Sequence, residues 1–227
     1  MSSSVLQAET LRLEYPGPIR RVVAIRDLTL GIDAGEFVGL LGPSGSGKSS
    51  LLFLLAGLRR PTRGHVLFHG KAWPRDVNRA ADLRRAALGL VFSEPFLVPY
   101  LTVRENALVQ LLPATPARRV TELAEALGIV ELLDEVPARL SSGEAQRASV
   151  LRALVNAPPV VLADEPTSHL DFETGLQLVT ALRGSTRGGS LVVASHDHRM
   201  LAAATRLWRL DGGALVADTA TEASRPC

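Results

Sequence analysis

At 227 residues and 24.2 kDa, with 46% hydrophobic side chains, the chain has the apolar material for one large globular domain, or a core with an inserted subdomain. Its 25 basic and 23 acidic residues leave a net charge of +2, too small for the electrostatic footprint of a nucleic-acid binder. No apolar run reaches the roughly 18–20 residues of a bilayer-spanning helix, and the longest, Leu51 to Leu58, is core helix length. The start, MSSSVLQAET, lacks the basic-then-apolar order of a signal peptide, and the single cysteine, Cys227, has no partner for an internal disulfide. These features predict a cytoplasmic chain with a solvated tail.

In chain order, residues 5–15 alternate in the manner of a strand, PGP at 16–18 turns the chain, and VVAIRDLTLGI follows as a second β-rich segment. GEFVGLLG, bounded by glycines, reads as a strand buried on both faces, and leads through a Gly/Ser loop into a helix from Lys48 that ends near Pro61. RGHVLFHG is a further strand. From Asp76 to Ala157 helical spacing dominates in DVNRAADLRRAAL, ARRVTELAEALGIVELL and GEAQRASVLRALVNA, around the Pro-punctuated connector VFSEPFLVPYLTVREN. Strands return in PVVLADE (159–165) and SLVVASHD (190–197), separated by the helix FETGLQLVTALRG. This order predicts an α/β core around a parallel sheet with a mostly helical insert.

The loop matches G-x-x-x-x-G-K-[ST] and has the context that motif needs, a strand before and a helix after. Gly42, Gly45 and Gly47 let backbone N–H groups turn inward as an anion nest, with Pro43, Ser44 and Ser46 between them. The helix start, with Ser50 in its first turn, adds about half an elementary positive charge. Ser49 offers a hydroxyl to Mg²⁺. Lys48 is one of two lysines among 25 basic residues, so arginine fills the other 23 basic positions. A slim ammonium fits between the outer phosphates of a nucleotide where a planar guanidinium would be too wide. PVVLADE then delivers Asp164 and Glu165 to the carboxyl end of a strand, where ligands of parallel sheets sit. Asp164 is the expected Mg²⁺ holder, and Glu165 the group that polarises the attacking water.

With these motifs in place the chain resembles the ATP-binding cassette ATPases over most of its length. LSSGEAQRASVLRAL (140–154) is similar to the family signature L-S-G-G-Q and its helix, SHLD (168–171) to the D-loop, and His196 to the switch histidine. The resemblance implies a P-loop NTPase (RecA-like) core at 1–92 and 156–227, with an N-terminal antiparallel β subdomain and a helical signature subdomain at 93–155. It further implies that ATP is sandwiched in a head-to-tail homodimer, or a heterodimer with a related ATPase. Ser141, Ser142, Gly143 and Glu144 would cap the nucleotide held by the partner, and Asp171 would face the seam. His196 would contact the γ-phosphate, and Tyr15 would stack on adenine. GPSGSGKSSLL, RPTRGHVLFHG, LTVREN and LADEPTSHLD resemble the lipoprotein-release and macrolide- or peptide-export branch, whose cassettes drive separate membrane proteins from the inner face of the membrane. An exposed apolar patch at Phe96, Val98 and Tyr100 is the expected docking surface for such a permease.

Two departures stand out. Ser93 occupies the place of the Q-loop glutamine, which touches Mg²⁺ in the family; as a metal-site residue it can still offer a hydroxyl, about two bonds shorter than glutamine. Ser142 and Glu144 replace a glycine and the glutamine of the signature. Slower hydrolysis than in relatives is the expectation, with Ser93→Gln raising it. SHDH (195–198) holds the letters of a hydrolase triad and an H-x-H pair, but neighbours along a strand face opposite ways and two histidines make a poor zinc site. Competing classes are a cell-envelope or cell-division regulator that transmits force without a cargo, and a nucleotide switch acting on DNA or ribosomes. The latter usually has two cassettes or a coiled-coil insert. A GTPase is disfavoured, since no N-K-x-D occurs.

Overall fold

A computed structural model describes residues 4–17, 21–185 and 188–220; Pro18 of the first turn and Cys227 lie outside the described residues. Two sheets organise the chain. The first is antiparallel and built from β1 (Ser4–Tyr15), β2 (Val22–Asp33), β4 (Arg63–Phe68) and β5 (Lys71–Ala72), in the order β2-β1-β4-β5. The second is mixed and six-stranded. Around β3 (Phe37–Leu41) it runs β10-β9-β3-β8-β7-β6, with β6 (Leu88–Val91), β7 (Val160–Asp164), β8 (Ser190–Ala194), β9 (Arg206–Asp211) and β10 (Ala214–Ala220). All its pairings are parallel except the hairpin β9–β10.

The central strands are apolar throughout because both faces are covered. Val38, Leu40, Val160, Leu162, Val192 and Ala194 point into one core, shared with the antiparallel sheet and with α1 (Lys48–Leu55). Their neighbours Phe37, Leu41, Val161, Ala163, Leu191 and Val193 point into a second core. This one is closed by α3 (Val103–Leu108), α4 (Arg118–Ala126), α5 (Ser142–Leu154) and α6 (Phe172–Ser185). Alternate residues of single strands thus feed two cores.

The predicted helices are shorter in the structure, and one stretch changes class. α1 stops at Leu55, five residues before Arg60, with Ala56 as C-cap. α4 ends ahead of Gly128, which takes φ +63, the left-handed conformation that terminates helices; a 3-10 turn over Val130–Leu132 replaces the rest. The helix α2 (Val77–Ala87) runs directly into β6, so the stretch from Asp76 is not helical throughout. Leu88 is the switch point: it takes extended angles and its N–H still bonds back to Arg84.

Candidate nucleotide-binding site

The loop between β3 and α1 is held from below. Gly47 takes φ +103, and an added Cβ would lie 2.5 Å from the Ala24 carbonyl of β2. Ser46 is buried beneath the loop and its carbonyl accepts from the Gly213 N–H. No side chain caps α1 and no acid occupies its first turn, so its leading N–H groups are left for a ligand. The entrances of α3 and α5 differ. Thr102 with Glu105, and Ser141 with Glu144, form complete capping boxes at α3 and α5.

Above α1 lies a cleft of about 670 Å³. Its wall carries Ser44, Gly45, Gly47, Lys48, Ser49 and Ser50 from the loop and helix start. Facing them are Ser93, Asp164, Glu165 and His196. Ten residues singled out from sequence therefore converge on one space, delivered by the carboxyl ends of β3, β6, β7 and β8. Lys48 Nζ donates to the Gly42 and Pro43 carbonyls at 2.8 and 3.2 Å and stands 4.0 Å from Glu165 Oε1. Gly42, Pro43 and His196 also line an adjoining cavity of about 300 Å³.

Glu165 and His196 are paired, with Nδ1 3.0 Å from Oε2. Glu165 sits at φ +45, a conformation that costs a non-glycine residue about 1 kcal/mol or more. Its N–H is fixed on the Ala194 carbonyl at the end of β8. The two strand ends thus set the carboxylate and imidazole against one another. Asp164 is 5% exposed; burial raises its carboxyl above the ordinary range, opposed by a hydrogen bond from Ser49. Its Oδ1 is buried without a partner among the described residues. A lone carboxylate oxygen beside a serine hydroxyl is a donor set that fits a small hard cation such as Mg²⁺.

The remaining predicted residues lie outside this wall. Tyr15 stands at its rim: its cross-strand partner Val22 lines the cleft, its hydroxyl lies 3.3 Å from Ser50 Oγ, and the Arg59 guanidinium lies 4.6 Å from its ring centroid. Ser141, Ser142 and Gly143 begin α5 against the loop after β7. A Cβ at Gly143 would meet Leu170 Cδ2 at 2.9 Å and the His169 carbonyl at 3.3 Å, whereas Ser142 is exposed, so a side chain is freely accommodated at the first position and crowded at the second. Glu144 is engaged locally: its carboxylate accepts from the Ser141 N–H and hydroxyl, which holds it below the usual carboxylate range. Asp171 caps α6 by accepting from the Thr174 N–H and hydroxyl, and these bonds lower its carboxyl too. Phe96 and Tyr100 are 67% and 80% exposed, while Val98 is half-buried with its backbone bonded to Asn106.

Ser195, His196 and Asp197 form no catalytic triad. Ser195 is buried and accepts from the Asp197 N–H, and Asp197 is bound by Arg199, which holds its carboxyl down at about 2. Missed from sequence were Val22, Val23 and Ala24, Glu94, and the pair Ser168 and His169, all on the cleft wall. The strand and D-loop assignments named their segments but carried no signal for which side chains face the ligand.

A loop that leaves helix N–H groups open to phosphate, with a lysine, a buried carboxylate and a glutamate–histidine pair around it, defines a P-loop nucleoside triphosphatase. Known proteins narrow this. The family model described as "ABC transporter" matches residues 25–168. The lipoprotein-releasing system ATP-binding protein LolD of Maricaulis maris is 38% identical over 224 residues, covering 95% of this chain and 97% of that protein. The macrolide export ATP-binding/permease protein MacB of Rhodopseudomonas palustris is 37% identical across 100% of this chain, which spans only 36% of MacB. A solved dimeric ATP-binding cassette, captured after hydrolysis with ADP and Pi, superposes with a TM-score of 0.89 at 30% identity, covering 95% of this chain and 98% of that one. The chain belongs to the ABC transporter family: it is an ATP-binding, ATP-hydrolysing cassette related to LolD and MacB. Among the described residues no helix is long and apolar enough to cross a membrane.

Proposed function

We propose that this cassette powers an export or release assembly of the membrane, working as a head-to-tail dimer beneath a separate permease. The observation that carries the reading is the convergence of Lys48, Ser49, Asp164, Glu165 and His196 on one cleft. The relatives' names, a lipoprotein-releasing system and a macrolide exporter, give the kind of cargo such an assembly handles.

In this reading the open N–H groups of α1 and Lys48 hold the β- and γ-phosphates of ATP, and Tyr15 supplies a stacking face for the base. Ser49 and Asp164 would hold Mg²⁺, which would supply positive charge against the charge developing on the phosphates. Glu165, oriented by His196, accepts a proton from the attacking water, and His196 also faces the γ-phosphate. Ser141, Ser142, Gly143 and Glu144 cover the nucleotide of the second copy, with Asp171 at the seam. Residues 1–92 and 156–227 form the nucleotide-binding core, and 93–155 the helical unit that moves against it. Exposed Phe96 and Tyr100, with Val98 beside them, meet the permease and keep the cassette at the inner face of the membrane.

The test is Glu165→Gln. Loss of a general base lowers turnover by about 10²–10⁴-fold while leaving the phosphate-binding groups intact. With saturating MgATP this variant is expected to run as a dimer in size-exclusion chromatography with light scattering, and as a monomer with ADP. A variant that stays monomeric with MgATP, alone and in its membrane assembly, overturns the sandwich.

A further inference from the structure

The segment carrying Ser93 is fastened on both sides through its main chain. The Phe92 carbonyl accepts from Gln146 Nε2 at 3.1 Å. The Pro95 and Phe96 carbonyls accept from Arg152 at 2.8 and 2.6 Å. Gln146 is fully buried, and both anchors stand on α5. Only Ser93 and Glu94 lie between the anchored carbonyls, and both line the cleft that holds Lys48, Ser49 and Asp164.

The two differ in reach. A serine hydroxyl is one bond beyond Cβ, whereas a glutamate carboxylate extends as far as the glutamine amide expected at position 93. Glu94 is exposed and has no hydrogen-bond or ion-pair partner among the described residues. Asp164 lines the same cleft, and its buried Oδ1 has no hydrogen-bond partner among the described residues. Two carboxylates that both look into one phosphate site repel each other and the triphosphate unless a cation lies between them.

We infer that Glu94 is a cation-facing residue of this cassette, supplying through a carboxylate the reach towards Mg²⁺ that Ser93 lacks. The inference rests on the MgATP reading of the cleft. It predicts a stronger dependence of nucleotide binding on the metal, because the same carboxylate that favours MgATP opposes metal-free ATP.

The experiment uses the full chain carrying Glu165→Gln, so that hydrolysis does not interfere, and follows binding of a fluorescent ATP analogue during Mg²⁺ titration and separately in EDTA. Glu94→Gln is expected to raise the Mg²⁺ concentration at half-saturation about tenfold, the size of effect seen for outer-shell groups at metal sites. It is also expected to tighten metal-free binding. A positioning role would weaken both or neither. Unchanged half-saturation overturns the inference, as does a loss of affinity in both conditions, or a shift produced by Ser93→Ala and absent from Glu94→Gln. Failure of the Glu165→Gln chain itself to bind nucleotide with Mg²⁺ would instead remove the reading of the cleft, before Glu94 is touched.

Discussion

Gly47→Ala isolates the fit between the phosphate loop and the strand beneath it. Alanine at φ +103 pays the left-handed penalty of about 1–2 kcal/mol. Its Cβ would also lie 2.5 Å from the Ala24 carbonyl and 3.1 Å from Ile25 Cδ1, contacts that require β2 or the loop to shift. Overpacking of that kind costs a further 1–3 kcal/mol or so. Gly45→Ala is the matched control: φ is +77, but nothing lies within 4 Å of the added atom, so only the backbone term applies. Entropy lost from the unfolded chain is common to both and cancels in the comparison. For a domain of this size 1 kcal/mol is about 2–4 °C in Tm. Thermal unfolding without nucleotide should therefore fall about 10 °C for Gly47→Ala and about 4 °C for Gly45→Ala. Omitting nucleotide keeps altered binding from adding to the shift. Equal losses, within about 0.5 kcal/mol, would refute the claim that the loop is wedged against Ala24.

Gln146→Ala should destabilise by about 1–3 kcal/mol, since it removes the donor to the Phe92 carbonyl inside the protein; urea unfolding would show a lower midpoint with an unchanged slope. Asp164→Asn should behave oppositely while abolishing turnover. Burial raises the Asp164 carboxyl in the folded state, so its ionised form opposes folding, and stability falls as pH rises through the folded value. The asparagine variant is then more stable than the parent at pH 7, with the advantage fading as pH falls through the raised folded value and gone below about pH 4, where folded and unfolded aspartate are both protonated. A variant less stable than the parent at pH 7 would show that burial of this charge is not what strains the site.

Much of the site was legible because its chemistry is local. The glycine spacing before Lys48 and the two acids after PVVLA need only a strand end and a helix start to take effect, and both formed as expected. Elements that depend on distant partners were not legible. β6 has four residues and follows α2 without a break; only its pairing with β7 makes it a strand. The β9–β10 hairpin went unassigned although Gly212 and Gly213, both at positive φ, separate its two runs. Gln146 and Arg152 read as ordinary polar positions of an amphipathic helix. Their partners lie 54 to 57 residues earlier, and those partners are carbonyl oxygens, which carry no mark in a sequence.

That choice of partner has an evolutionary side. A grip on carbonyl oxygens is blind to residue identity, since every amino acid offers the same atom. Mutation can rewrite the side chains between Phe92 and Phe96 while the attachment to α5 persists, so chemistry and mechanical linkage drift independently. A lineage could exchange one ligand for another there without first losing the joint to α5.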